Sequence, residues 1–259
     1  MASTPYLIRL FRTLRLFLHF VWIGLGTALI YPRVSDARRM ELRQIWSHKI
    51  LKILVIRLEA PPMNAPPGSL IVANHISWLD VFAINSVRPS AFIAKAEIRR
   101  WPFFGWLTAR HGSIFLRRGS RGHARIVNQK IDALLVSGKD VALFPEGRTT
   151  DGRQVLGFHA ALLEPAIAAD RPIIPLALSY FDASGTLSQA PSFAGEISLL
   201  QCFLSILASR SLILRLAPLP LILPAGLSRR EVSLAAHDAI LGALRALPGF
   251  HPLRTPPEK

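Results

Sequence analysis

Acidic residues are scarce in this 259-residue chain: 16 Asp plus Glu stand against 31 Lys plus Arg, a formal charge of +15 with a pI near 11.3. That excludes a neutral cytosolic enzyme of ordinary surface. Charged residues of both signs make up only 18% and hydrophobic ones 51%, so a disordered basic tail or ribosomal-type extension is excluded too. The one cysteine, Cys202, leaves no partner for an internal disulfide. In the apolar stretch SLLQCFLSIL it reads as an inert packed thiol. There is no internal repeat or low-complexity tract, no GxSxG elbow, and no second histidine at metal-ligand spacing. Nor is there an aromatic-interleaved basic stripe or finger spacing, which leaves nucleic acid without support as a partner.

What is present is apolar surface and arginine. Of the 31 basic residues 25 are Arg, whose planar fork suits phosphate and carboxylate and, on an apolar protein, points to an anionic membrane surface or a phosphorylated substrate. The most hydrophobic long segment is the uncharged run Leu16–Tyr31, preceded by Arg9, Arg12 and Arg15 and followed by Arg33, Arg38, Arg39 and Arg43. Sixteen helical residues reach about 24 Å, short of the ~30 Å hydrocarbon core, so a shallow or re-entrant monotopic anchor fits better than a crossing. Positive charge on both flanks satisfies the positive-inside rule if both ends stay on the cytoplasmic face. A cleaved signal peptide competes, but the basic lead is long and no AxA-type site follows. After Pro32, residues 35–59 set Arg38, Arg39, Arg43, Lys49 and Lys52 among apolar positions at helical spacing, a basic amphipathic helix. Trp22, Tyr31 and Trp46 are expected at headgroup level, and the two segments read either as an in-membrane helical hairpin or as an ordinary core helix pair.

The proline-rich APPMNAPPGS, residues 60–69, marks the start of the globular part, giving an anchoring segment over 1–59 and a domain over 60–259. Short apolar runs predict buried strands over 70–73, 91–94, 113–116, 141–144, 173–179 and 212–216. Helical patterns fall between or after them, over 80–86, 102–109, 123–137, 158–168 and 229–246, the last capped by Ser228 with Glu231 at its third position. Such alternation predicts an α/β layered domain with a largely parallel central sheet. The tail from Gly249, Pro-rich and charged, is expected to fray.

Open α/β sheets bind ligands at the carboxyl ends of their strands, and three runs end there in polar clusters. In SLIVANHISWLD, Asn74 and His75 follow a strand and Asp80 opens a helix. A carboxylate one helical turn on can fix the imidazole's tautomer and stabilise the imidazolium, so the pair reads as a base for a substrate's own hydroxyl. In HGSIFLRRGS, Arg117 and Arg118 follow a strand and precede Gly119; they either clamp a phosphate or form a solvated basic turn. In VALFPEGRTTDGR, Gly147 lets backbone amides approach a ligand, Arg148 supplies charge and Glu146 can accept from a hydroxyl; a plain turn is the alternative. Lys95 reads as a snorkelling strand-end lysine, with the donor's phosphates as its other use. His111, His123 and His159 read as structural or exposed, and Trp78 as helix packing.

In this order and over this distance the clusters resemble the glycerolipid acyltransferases, specifically the 1-acylglycerol-3-phosphate (lysophosphatidic acid) acyltransferase family. Asn74, His75 and Asp80 match its NHxxxxD motif; Gly112, Phe115 and Arg118 fall on its GxxF…R motif; Phe144, Pro145, Glu146 and Gly147 match FPEG; Ile174 and Pro175 fall on its apolar-Pro strand motif. One departure is that Arg148 precedes Thr149 and Thr150, where the family has Thr then Arg. The resemblance implies acyl transfer from acyl-CoA or acyl carrier protein to the 2-hydroxyl of a lysophospholipid, without metal, cofactor or covalent acyl-enzyme. It implies His75 as base and Asp80 as its orienter. Arg118 first and Arg148 second would hold the acceptor phosphate, with Asn74, Glu146, Gly147 and Thr149 lining the acceptor site. Expected partners are membrane lipids, lysophosphatidic acid and the acyl donor, at the cytoplasmic face of the inner membrane in phospholipid biosynthesis. Two other readings stand: an acyltransferase for another lysolipid such as a lyso-ornithine lipid, and a non-catalytic basic membrane-binding protein.

Overall fold

The computed structural model describes residues 3–117 and 121–250. In chain order the elements are α1 (Tyr6–Leu29), α2 (Asp36–Ile53), β1 (Ile56–Glu59), β2 (Leu70–Ala73), α3 (Leu79–Val87), β3 (Ala91–Lys95), α4 (Pro102–Arg110), β4 (Ile114–Leu116), α5 (Arg121–Val136), β5 (Val141–Leu143), α6 (Glu164–Ala168), β6 (Ile173–Asp182), α7 (Leu199–Ala208), β7 (Leu212–Pro218) and α8 (Arg229–Arg245). The strands form a seven-stranded sheet in the order β1-β7-β6-β2-β5-β3-β4. All neighbours are parallel except β6 and β7, so β1 and β7 run against the other five. This is the largely parallel α/β architecture expected from the sequence.

Strands apolar on both sides need a helical layer over each face. Along β2, Ile71 and Ala73 face a core shared with α1, α2, α3 and α7, through Leu16, Trp46, Ile50, Ile84 and Ile206. Leu70 and Val72 face the other core, with Val127 and Ile131 of α5, Leu163, and Val232 and Ala236 of α8. Pro175 sits inside β6 at little cost. Its carbonyl accepts from Leu219 N, so the N–H it lacks would point toward β7, where the ladder opens between the Ile173–Ile222 bridge and the Leu176–Pro218 pair.

Three expectations are corrected. The amphipathic helix over 35–59 stops at Ile53: Val55 turns through a left-handed φ of 57°, and Ile56–Glu59 becomes β1, paired with β7. Tyr31 and Trp46 are buried rather than at headgroup level; their rings stack 5.5 Å apart, and Tyr31 stacks on His111 at 5.0 Å. With Leu42, Trp46, Ile50 and Ile53 in the core, α2 is a core helix packed on α3. The helix over 158–168 breaks into a 3-10 turn, Ala160–Leu162, and α6, because Pro165 lacks an N–H and falls in the first turn of α6. By contrast α8 begins as read, on a Ser228–Glu231 capping box, while α1 spans 24 residues, taking in Arg9, Arg12 and Arg15 ahead of the apolar run, about 36 Å.

Candidate active site

The order of strands decides which loops meet. β5 lies beside β2, so the chain leaving β5 passes next to His75. The Nδ1 of His75 lies 2.8 Å from Asp80 Oδ2. The same oxygen accepts from the backbone N–H of Ile76 and Ser77 at 2.8 and 2.9 Å, and Oδ1 accepts from the Tyr180 hydroxyl at 2.6 Å. Among the described residues four donors and no acceptor face this carboxylate, which has no exposed surface, an arrangement that suits the ionised form, which accepts only. Tyr180 is fully buried on β6, and burial with the Asp80 charge raises its hydroxyl well above the ordinary range, so it stays a donor. The imidazole lies flat on Phe144, ring centroids 3.9 Å apart. Nδ1 is thus committed, and Nε2 has no hydrogen-bond partner among the described residues. The side chain is 20% exposed.

The FPEG loop holds the back of the histidine. Glu146 Oε1 accepts from His75 N and Oε2 from Leu156 N, both at 2.8 Å. Burial pushes this carboxyl up to about 7, opposed by the two N–H groups and Arg148 and reinforced by Asp80. Gly147, at φ 72°, closes the turn by donating its N–H to Phe144 O at 3.1 Å, a conformation that favours glycine. Thr150 N donates to His75 O at 2.8 Å, so the loop grips His75 on both sides of its backbone.

Several residues expected to line the acceptor site are therefore occupied otherwise. Asn74 is wholly buried; its amide donates to Leu178 O and its carbonyl accepts from Leu178 N, bridging β2 to β6. Both oxygens of Glu146 accept from backbone N–H groups, those of His75 and Leu156, so its carboxylate holds the backbone of the histidine. The Gly147 amide is used in the turn, and the Thr149 hydroxyl donates to the Phe193 carbonyl. Arg148 keeps an exposed side chain with no hydrogen bond among the described residues. Arg118 and Gly119 lie outside the described residues, as does the tail beyond Phe250. Exposed Lys95 ends β3 and exposed Arg117 follows β4, extending the cationic edge away from the dyad to about three strand spacings, roughly 14 Å.

The other histidines have structural surroundings. His111 meets the Thr27 hydroxyl at 3.0 Å, and burial and the nearby Arg43 push it down to about 3. His123 Nδ1 accepts from Arg117 N, and His159 N closes on Pro145 O. Cys202 is buried against Pro191 O. Tyr180 is the site residue that sequence reasoning missed; β6 was legible, but its partner lies 100 residues away. The start of α7 was missed as well, although Ser198 and Gln201 form a capping box ahead of an apolar run.

The Acyltransferase family matches residues 58–179, which takes in both His75–Asp80 and the FPEG loop. A 1-acyl-sn-glycerol-3-phosphate acyltransferase of Neisseria meningitidis is 36% identical over 200 residues, covering 76% of this chain and 77% of that one. The chain belongs to the 1-acylglycerol-3-phosphate acyltransferase family of glycerolipid acyltransferases. A lyso-ornithine lipid O-acyltransferase of Pseudomonas aeruginosa is 34% identical over 223 residues, 86% of this chain and 85% of its own. The fold is that of the LPA acyltransferase PlsC from Thermotoga maritima, with a TM-score of 0.63 at 19% identity over 92% of this chain and 96% of that one. As a member of this family the chain is an O-acyltransferase, which removes the non-catalytic reading.

Proposed function

We propose that this acyltransferase moves a fatty acyl group from a thioester of coenzyme A or acyl carrier protein to the 2-hydroxyl of 1-acylglycerol-3-phosphate, making phosphatidic acid for phospholipid biosynthesis. The observation that carries the reading is the buried, four-donor Asp80 holding Nδ1 of His75 at 2.8 Å. Nε2 takes the proton of the acceptor hydroxyl as its oxygen attacks the thioester carbonyl. The C–O bond forms, the C–S bond breaks, and the imidazolium returns its proton to the leaving thiolate. No metal or cofactor is required. General-base help of this kind contributes about 10²–10⁴-fold, so positioning supplies much of the remainder. Arg148, beside the dyad, and Arg118, beyond β4, meet the acceptor phosphate. α1, apolar enough to cross a membrane by length and composition, holds the enzyme on the cytoplasmic face of the inner membrane as a monotopic anchor.

A lyso-ornithine lipid acceptor is the second reading, favoured by the relative that shares the larger part of the chain. Detergent-solubilised enzyme given labelled acyl-CoA, or acyl carrier protein carrying the same chain, tests both. Transfer to lysophosphatidic acid and not to a phosphate-free lysolipid, lost in His75→Ala, supports the first; preference for the phosphate-free acceptor overturns it and leaves the dyad standing.

A further inference from the structure

The outward face of α1 is not the only apolar surface left uncovered. On its own helix Leu7, Leu10, Phe11, Leu14, Phe17, Leu18, Trp22 and Leu25 are exposed. At one end α1 meets α7, whose Ile197, Leu199, Leu200 and Leu204 side of the chain is exposed; at the other it meets α4, where Trp101, Phe103 and Phe104 are exposed. Elsewhere Ile126 and Val136 stand ten residues apart on α5 and Leu234 stands alone on α8, which is ordinary for a soluble surface, and Leu221, Leu223 and Leu227 are exposed on the loop between β7 and α8, on no helix that meets α1.

α1 is fastened to the domain along its length. Thr4 N donates to Ala208 O at 3.0 Å, and the buried Arg12 donates to Ser209 O and Arg210 O at 2.9 and 3.0 Å. Phe20 packs edge-on against Phe104 at 5.3 Å. At Gly24 a Cβ would come within 2.8 Å of the Phe103 ring, so the helices touch closely. A helix held from residue 4 to residue 24 cannot cross a ~30 Å core without releasing those contacts. It lies along the bilayer, and its flanking neighbours come to the same interface.

We propose that α7 and the Trp101–Phe104 segment enter an anionic phospholipid bilayer beside α1, making a three-part platform. The inference rests on the membrane reading of α1 and adds to it two contacts outside the anchor. Charge supports the occupant: exposed Arg15 on α1, Arg99 and Arg100 just before Trp101, and Arg210 just after α7 sit at its margins, four cations against the two exposed carboxylates Glu97 and Glu196. The segment entering α7 is also buttoned to the active site. Phe193 N donates to Ile76 O at 3.0 Å, its carbonyl accepts from the Thr149 hydroxyl, and Ile197 follows four residues on. Seating α7 in lipid therefore sets the loop beside His75 at headgroup level.

The full chain is tested by co-sedimentation with vesicles of equal phosphatidylglycerol and phosphatidylethanolamine, and by turnover in detergent micelles. Leu200→Glu/Leu204→Glu and Trp101→Glu are each expected to lower vesicle partition about tenfold or more, with micellar turnover kept, while Leu234→Glu on α8 changes neither. A fluorophore on Leu200→Cys, reading polarity independently of the charge substitutions, is expected to shift to the blue on vesicles. If the wild type sediments but the α7 and α4 variants match it, or the label stays unshifted, the platform is overturned while the anchor stands. Wild type that stays in solution overturns the anchor and the platform together.

Discussion

The two buried carboxylates at the carboxyl ends of β2 and β5 are built for different tasks. Asp80 accepts from an imidazole, two backbone N–H groups and a phenol. Glu146 accepts from two backbone N–H groups and is pushed up to about 7 by burial. One environment supplies enough donors to hold a charge against the imidazole; the other supplies just enough to fix a loop, and leaves the charge expensive. Neighbouring acids thus divide electrostatics from geometry, and a substitution at each should fail in a different way.

The largest effect is expected at the dyad. His75→Ala should cut turnover by about 10²–10⁴-fold while leaving circular dichroism unchanged, and Asp80→Asn should do the same with a loss of stability, since an amide cannot accept from four donors. A near wild-type rate in either would remove the dyad from the mechanism. Glu146→Gln comes next, at up to about 100-fold in kcat through displacement of His75, with roughly 1–3 kcal/mol lost because its NH2 meets an N–H donor; unchanged kcat would show the bracket to be idle. Tyr180→Phe should lower kcat about tenfold with acceptor KM unchanged, as one Asp80 oxygen loses its donor; a KM effect instead would place Tyr180 at the substrate. The last effect is on stability rather than on turnover, and it depends on pH. A carboxyl raised from 4.5 to about 7 on folding binds its proton more tightly in the native state, so its contribution to stability falls as pH rises from about 4.5 to 7, by roughly 3 kcal/mol in all. Thermal melts across that window should show a flatter slope in Glu146→Gln, and equal slopes would contradict the burial argument.

The central strands were legible because both faces of each are apolar, and the His75–Asp80 contact because it spans five residues of one strand-to-helix turn. The rest depended on distant partners. β1 was hidden because Ile53, Leu54 and Ile56 continue the helical spacing of α2, and only the left-handed Val55 interrupts it. That α2 is core while the outer face of α1 is exposed follows from α3 covering one and, among the described residues, nothing covering the other, although both carry apolar runs with basic flanks. Asn74, Glu146 and Thr149 read as ligand contacts because their types suit substrates; their actual partners are backbone groups of Leu178, His75, Leu156 and Phe193.

The link between Arg12 and the end of α7 also has a consequence in time. Its second carbonyl partner, on Arg210, lies 198 residues downstream. At about 5–20 residues per second of synthesis, α1 emerges roughly 10–40 seconds before the groups that will fasten it have been made. Through that interval Arg12 and the end of α1 that meets α7 have no partner yet, whereas Trp46, Phe103 and Phe104, which meet the other end, are made much sooner, so the helix is fastened to its domain from its C-terminal end first.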